Sequence, residues 1–147
     1  MSRYVLEMYR QMFISLKRGN TKGVFSNAKP IFLLSILKYI DNCNSSNSFV
    51  WGNEIFESIY KSISYEFGYV KSTPLWKPFY YMSSEPFYTL VWSTLPDMNL
   101  LKFPSGKILK DYLSHAKLDD QLWELLRDKE NREYLKDSII THYLSHK

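Results

Sequence analysis

"KPFYYMSSEPFYTLVW", residues 77–92, carries aromatic rings at Phe79, Tyr80, Tyr81, Phe87, Tyr88 and Trp92, and the way it folds decides what surrounds the rest of the chain. Residues 79–82 and 87–92 are rich in aromatic and β-branched types and are parted by Ser83, Ser84, Glu85 and Pro86. That grammar predicts a β-hairpin with a four-residue loop. Successive strand side chains point to opposite faces. Phe79, Tyr81, Phe87, Thr89 and Val91 therefore oppose Tyr80, Met82, Tyr88, Leu90 and Trp92. One set packs on the core. The other is either covered by a second layer, the C-terminal helices, or stands out as a stacking surface for a ligand.

On the N-terminal side the pattern is helical. Residues 3–18 place Val5, Met8, Tyr9, Met12, Phe13 and Leu16 on one helix face, ended by Gly19-Asn20. The stretch NTKGVFSNA at 20–28 reads as a loop. Pro30 suits the first position of a helix running to about Asp41. Its apolar residues nearly encircle it, which makes it the expected central helix. NCNSSNS at 42–48 reads as a polar turn, with Cys43 at a helix end, and SFVW at 48–51 as a short strand. Asn53 is placed to cap a third helix, with Glu54 and Glu57 in its first turn, apolar residues from Ile55 to Phe67, and Gly68 as its stop.

The last third reads as helical, with Ser105, Asp119 and Asp128 as candidate caps and Leu118 and Trp123 at staple spacing. Helix, helix, short strand, helix, hairpin and further helices is the element order of a winged helix. The expected class is mainly α (α+β), a multi-helix domain with a small antiparallel β-hairpin and a winged-helix-like core, and residues 1–147 read as a single domain.

Composition bounds the function. With 45% hydrophobic and 23% charged residues the chain is globular. Its most apolar stretch, IFLLSILKYI at 31–40, is short and interrupted by Ser35 and Lys38, so no membrane span is expected. Arg3, Glu7 and Arg10 break any secretory signal, which predicts a cytoplasmic protein. One cysteine excludes an internal disulfide and a cysteine cage for zinc. Residues 1–80 hold 10 Lys/Arg against 5 Asp/Glu, or +5, and residues 81–147 hold 9 against 10, or −1. A basic half beside a neutral one suits a surface that meets polyanions.

No catalytic constellation emerges. His142 and His146 lie one helical turn apart, but no Glu follows His142 as the zinc-protease pattern requires, so they read as surface residues. His115 reads as a last-turn cation of a helix. Ser83-Ser84 lacks the Gly-x-Ser-x-Gly elbow, and the five glycines form neither a phosphate loop nor a dinucleotide fingerprint. Asp119-Asp120 reads as a cap and DKENREYLKD at 128–137 as a solvated helix face. The expectation is a protein that is not an enzyme and takes no metal and no cofactor.

Three ordered stretches carry a resemblance. "SNAKPIFLLSILKYI" at 26–40 resembles a His-Lys-Pro followed by an all-apolar helix. "KPFYYMSSEPFYTLV" at 77–91 resembles a Pro-Phe-x-x-Leu-x-Ser-Asp-Gly-Phe-Trp hairpin. "AKLDDQLWELLRDKENREYLKDSIITHYL" at 116–144 resembles Leu-Asp-x-x-Leu-Trp-x-Leu-Leu, then Arg-x-x-Leu, then a closing helix ending in an aromatic. Together they resemble the N-terminal DNA-recognition domain attached to HNH restriction endonucleases, similar to the sulfur-recognition domain of McrA-like enzymes.

The resemblance implies a non-catalytic reader of double-stranded DNA carrying phosphorothioates, within a restriction system whose HNH nuclease domain or subunit does the cutting; residues 1–147 contain no HNH segment. Such a reader needs an apolar notch for sulfur, flanked by cations and amide donors for the remaining phosphate oxygens. Lys29 stands at the Lys-Pro position. Tyr81 and Ser83 stand where members carry His and Arg, and Tyr143, Leu144 and Ser145 where they carry an aromatic followed by Pro. Ala28 replaces a His, Pro86 a turn Gly, and Ser145 the Pro. The expected DNA-binding set is Lys29, Lys71, Lys77, Tyr80, Tyr81, Ser83, Ser84, Tyr143 and Ser145, with Arg10, Lys29, Lys71, Lys77 and the hairpin tip on one side. Two alternatives stay open: a protein-interaction or structural module whose hairpin rings form a subunit interface, and a reader of unmodified DNA on the same scaffold. The oligomeric state is also open.

Overall fold

The computed structural model describes residues 3–21, 24–42, 46–68 and 73–144. The first helix, α1 (Arg3–Phe13), is amphipathic as its spacing predicts, but stops short of residue 18. The following segment, expected as loop, holds a short antiparallel ladder of β1 (Asn20–Thr21) and β2 (Val24–Phe25). Helix α2 (Ala28–Asn42) begins two residues before Pro30. Proline costs nothing there, because the first-turn N–H groups have no helical partner anyway.

α2 is the centre of the molecule, buried without a break from Lys29 to Leu37. In its interior Ser35 donates its hydroxyl to the Ile31 carbonyl at 2.8 Å. Phe32 is fully buried and meets three rings edge-on: Phe56 at 5.6 Å, Phe79 at 5.8 Å and Tyr88 at 5.8 Å between centroids. Phe56 comes from α3 (Glu54–Glu66), where the Asn53 side chain accepts from the Phe56 N–H at 3.0 Å, as an N-cap should. Gly68, with φ of +86°, closes that helix in the left-handed region. Ile55, expected on the apolar stripe, is exposed.

The opening stretch is not a hairpin. It forms α4 (Trp76–Tyr81), a 3-10 turn over Met82–Ser84, and a single strand, β3 (Tyr88–Trp92). Phe79 and Met82 are both fully buried. Three residues apart, they share a helix face, whereas a strand would send them to opposite sides. Pro78 again falls in a first turn, where its missing donor is harmless.

The partner of β3 is β4 (Leu113–Leu118), in a region expected to be wholly helical. The connection carries α5 (Met98–Leu101) and α6 (Gly106–Tyr112), the latter capped by Ser105, whose hydroxyl accepts from the Ile108 N–H. A register shift between Val91 and Trp92 pairs Trp92 with Leu113, so Tyr88, Leu90 and Trp92 face Leu118, Ala116 and Leu113 across the sheet. His115 therefore lies on a strand rather than at a helix end. The strand expected at 48–51 is reduced to one bridge, Phe49 to Ala116. The lateral order is β3, β4, Phe49, which is the pairing of a winged helix whose wing is enlarged by α5 and α6.

Helices α7 (Asp120–Leu126) and α8 (Lys129–Ile139) close the chain, followed by a wide helical turn through Leu144. Asp128 caps α8 by accepting from the Glu130 N–H. Asp119 does not cap α7 with its side chain; its carboxylate accepts the Tyr9 hydroxyl at 3.1 Å and so ties α1 to the sheet end. Cys43 lies outside the described residues. Among the described residues no helix is long and apolar enough to cross a membrane.

Several tyrosines are held neutral inside this fold. Burial pushes the Tyr88 phenol well above its ordinary range, and it raises Tyr60 and Tyr143 as well. Burial together with the Asp119 carboxylate pushes Tyr9 up to about 12. These folded values lie above the unfolded one, so the stability they carry is complete below about pH 10 and is lost as pH rises through the folded values. An alkaline titration should show phenolate absorbance from the buried tyrosines appearing together with loss of near-ultraviolet circular dichroism. Complete ionisation with the tertiary signal intact would contradict this.

Candidate nucleic-acid interface

Lys29 begins α2 with its aliphatic stem in the core, only 9% exposed, and its ammonium must find an anion there. The anion is Glu85, 5% exposed, in the extended residue after the 3-10 turn. Nζ lies 2.8 Å from Glu85 Oε2 and donates to Ser84 Oγ at 2.9 Å. The same Oε2 accepts the backbone N–H of Lys17 at 2.9 Å. Three segments are thereby pinned together: the chain after α1, the start of α2, and the turn after α4.

Above this pair is a hollow of about 420 Å³ lined by Lys17, Arg18, Ala28, Lys29, Lys77 and Tyr81, among others. Lys29 and Glu85 cancel, which leaves Lys17, Arg18 and Lys77 as its net charge. Lys17 and Lys77 are exposed, and no carboxylate among the described residues forms an ion pair with either. The Lys77 ammonium stands 5.9 Å from the centre of the Trp76 ring. Arg18 donates to Asn27 Oδ1 at 2.9 Å, and its guanidinium lies 4.7 Å over the Tyr143 ring. Ala28, Pro78 and the Tyr81 ring add apolar wall between the cations.

The expected site residues divide accordingly. Lys29, Lys77, Tyr81 and Ser84 come together at the hollow. Tyr80 is half-buried beside Tyr81, ring edge to ring face at 5.0 Å. Ser83 is exposed and donates its hydroxyl to the Tyr80 carbonyl at 2.7 Å. Tyr143 is interior: its hydroxyl donates to the Phe13 carbonyl at 2.7 Å and accepts the Leu16 N–H at 3.0 Å. It serves as the platform beneath Arg18. Arg10 does not line the hollow; it pairs with Glu7 and Ser138. Lys71 and Ser145 lie outside the described residues, as does His146.

Lys17, Arg18 and Glu85 were not among the expected site residues. The first two had a visible signal, a basic pair at the end of the amphipathic stretch 3–18. Glu85 had none, because its partner is distant in sequence. Among the described residues no group of three or more His, Cys, Asp or Glu is placed to hold a metal ion. No protein-family model matches this chain, and no curated protein is significantly similar to it.

Removing one member of a buried ion pair strands the other charge, at a cost of about 3–5 kcal/mol. Glu85→Ala should lower stability in urea by that amount. The double variant Lys29→Met with Glu85→Leu should recover most of it. Equal losses in the single and double variants would show that the pair itself is not the source.

Proposed function

We propose that this chain is a non-catalytic DNA-binding domain acting in the cytoplasm. It is the reader module of a restriction system that recognises phosphorothioate DNA, with cutting left to an HNH nuclease domain or subunit. The observation that carries the reading is the pair of exposed lysines, Lys17 and Lys77, without a carboxylate partner among the described residues, on the rim of a hollow with apolar wall. Its place supports the same reading. Lys77 and Tyr81 belong to α4, the helix before the wing, which in winged helices commonly enters a DNA groove.

The chemistry fits a modified phosphodiester. Sulfur in place of a non-bridging oxygen is larger, softer and less strongly hydrated, so it is better placed against Ala28, Pro78 and the Tyr81 ring than in water. The remaining oxygens keep their charge and take the lysines and Arg18. Lys29 acts indirectly here, holding the hollow's floor through Glu85.

Binding to matched duplexes with and without one phosphorothioate, followed over a salt series, tests the proposal. Affinity should fall steeply with salt, by a log–log slope of about −0.9 for each phosphate neutralised. Lys17→Ala and Lys77→Ala should each weaken binding to all sequences and reduce the slope by about 1. The phosphorothioate duplex should bind more tightly. Equal affinity for the two duplexes would remove the sulfur from the reading, and failure to bind either at low salt would end it.

A further inference from the structure

Between β3 and β4, where a winged helix has its wing, the chain turns three large apolar side chains to solvent: Leu95 at 76% exposure, Met98 at 82% and Phe103 at 81%. None contributes to the core. Apolar side chains gathered this way on one short segment mark a contact surface. The same region carries Lys102, Lys107 and Lys110, all exposed, against Asp97 and Asp111. Asp97 is occupied in capping α5, accepting from the Asn99 N–H at 2.7 Å.

The wing is fixed beside α4. Helix α6 starts at Gly106, where an added β-carbon would stand 3.4 Å from the Trp51 ring and 3.8 Å from the Trp76 β-carbon. Trp76 is the first residue of α4, and the Lys77 ammonium of the hollow lies over its ring. The start of α6 and the hollow's outer cation thus adjoin through one tryptophan, and the apolar segment is the stretch of chain that leads into that contact.

We infer that the wing is a wedge: Met98 and Phe103 enter between base steps of the duplex held at the hollow, unstack them and bend the DNA. The inference rests on the DNA-binding reading above and adds to it a second contact and a deformation. Phe, Leu and Met are the side chains that architectural proteins drive between base steps, with lysines nearby on the phosphates. A second copy of the chain fits less well. Three side chains at roughly 150 Å² each fall short of the ~800 Å² per partner of a stable interface, and the interspersed lysines would face one another across it.

The test uses the whole chain and a duplex end-labelled for energy transfer, with 2-aminopurine at successive steps. Wild type should bring the ends together and raise 2-aminopurine fluorescence at one step. The double variant Met98→Ala with Phe103→Ala should keep its melting temperature, because both side chains are exposed, lose both signals, and bind about tenfold more weakly. Wild type that binds a straight duplex, with the variant binding equally well, overturns the wedge and leaves the DNA reading intact. Wild type that shifts no duplex ends the reading and the wedge together. A wild-type dimer that the double variant dissociates assigns the tip to a second copy and overturns the wedge.

Discussion

A helix that is apolar all the way round must be covered on every side, and the architecture is the set of elements that cover α2. Phe32 is the hub. It receives Phe56 from α3, Phe79 from α4 and Tyr88 from β3 at edge-on separations of 5.6–5.8 Å. Such ring pairs add roughly 0.5–1.5 kcal/mol each beyond the area they bury. The Tyr88 hydroxyl donates to the Phe79 carbonyl at 2.6 Å, so the ring cluster also fixes how α4 sits on the sheet. That coverage explains why 79–82 is helical although its composition favours strand. Phe79 and Met82 must both turn into the core, and a helical turn sends residues three apart the same way.

The charged layer above this core follows from the same helix. The first turn of α2 carries Lys29, whose ammonium is drawn to Glu85 at the end of the 3-10 turn, and Glu85 in turn holds the Lys17 backbone. The internal pair fixes the floor, while Lys17 and Lys77 extend from the rim into solvent. Tyr143 plays a comparable part at the far edge. Its hydroxyl is consumed by Phe13 and Leu16, and its ring is left as a base for Arg18. The charges turned outward are thus set by neutral or neutralised groups behind them, and the start of α6 packs at Gly106 against Trp76, whose ring lies under Lys77.

What was legible in the sequence was local. Helical spacing revealed α1, α2 and α3, and the caps at Asn53, Ser105 and Asp128 follow from residue type and position alone. The mainly helical class with a small antiparallel β component followed from the same signals, although the structure holds two two-stranded ladders and neither is the expected hairpin. What was hidden was non-local. Aromatic composition suggested two adjacent strands at 79–92, but the true partner of β3 is Leu113–Leu118, whose Ser, His, Ala and Lys are poor strand formers in isolation. The bulge there also breaks the alternation that would have exposed it, since Leu113 and Ala116 both face inward. Lys77 and Tyr81, which line the hollow, were legible as a cation and a ring on one unusually aromatic stretch. The Lys29–Glu85 pair was not, because neither residue signals the other along the chain.

The lateral order of the sheet also governs the sequence of events during biosynthesis. Phe49 emerges early but has no hydrogen-bonding neighbour until Ala116 has been made, and Tyr88–Trp92 waits for the same strand. The ribosome must therefore release most of the chain before any of the β-structure around α2 can close. Long-range pairing of this kind pays its loop-closure entropy before it is rewarded. Until then Phe49 and Tyr88–Trp92 both lack the strand that pairs with them.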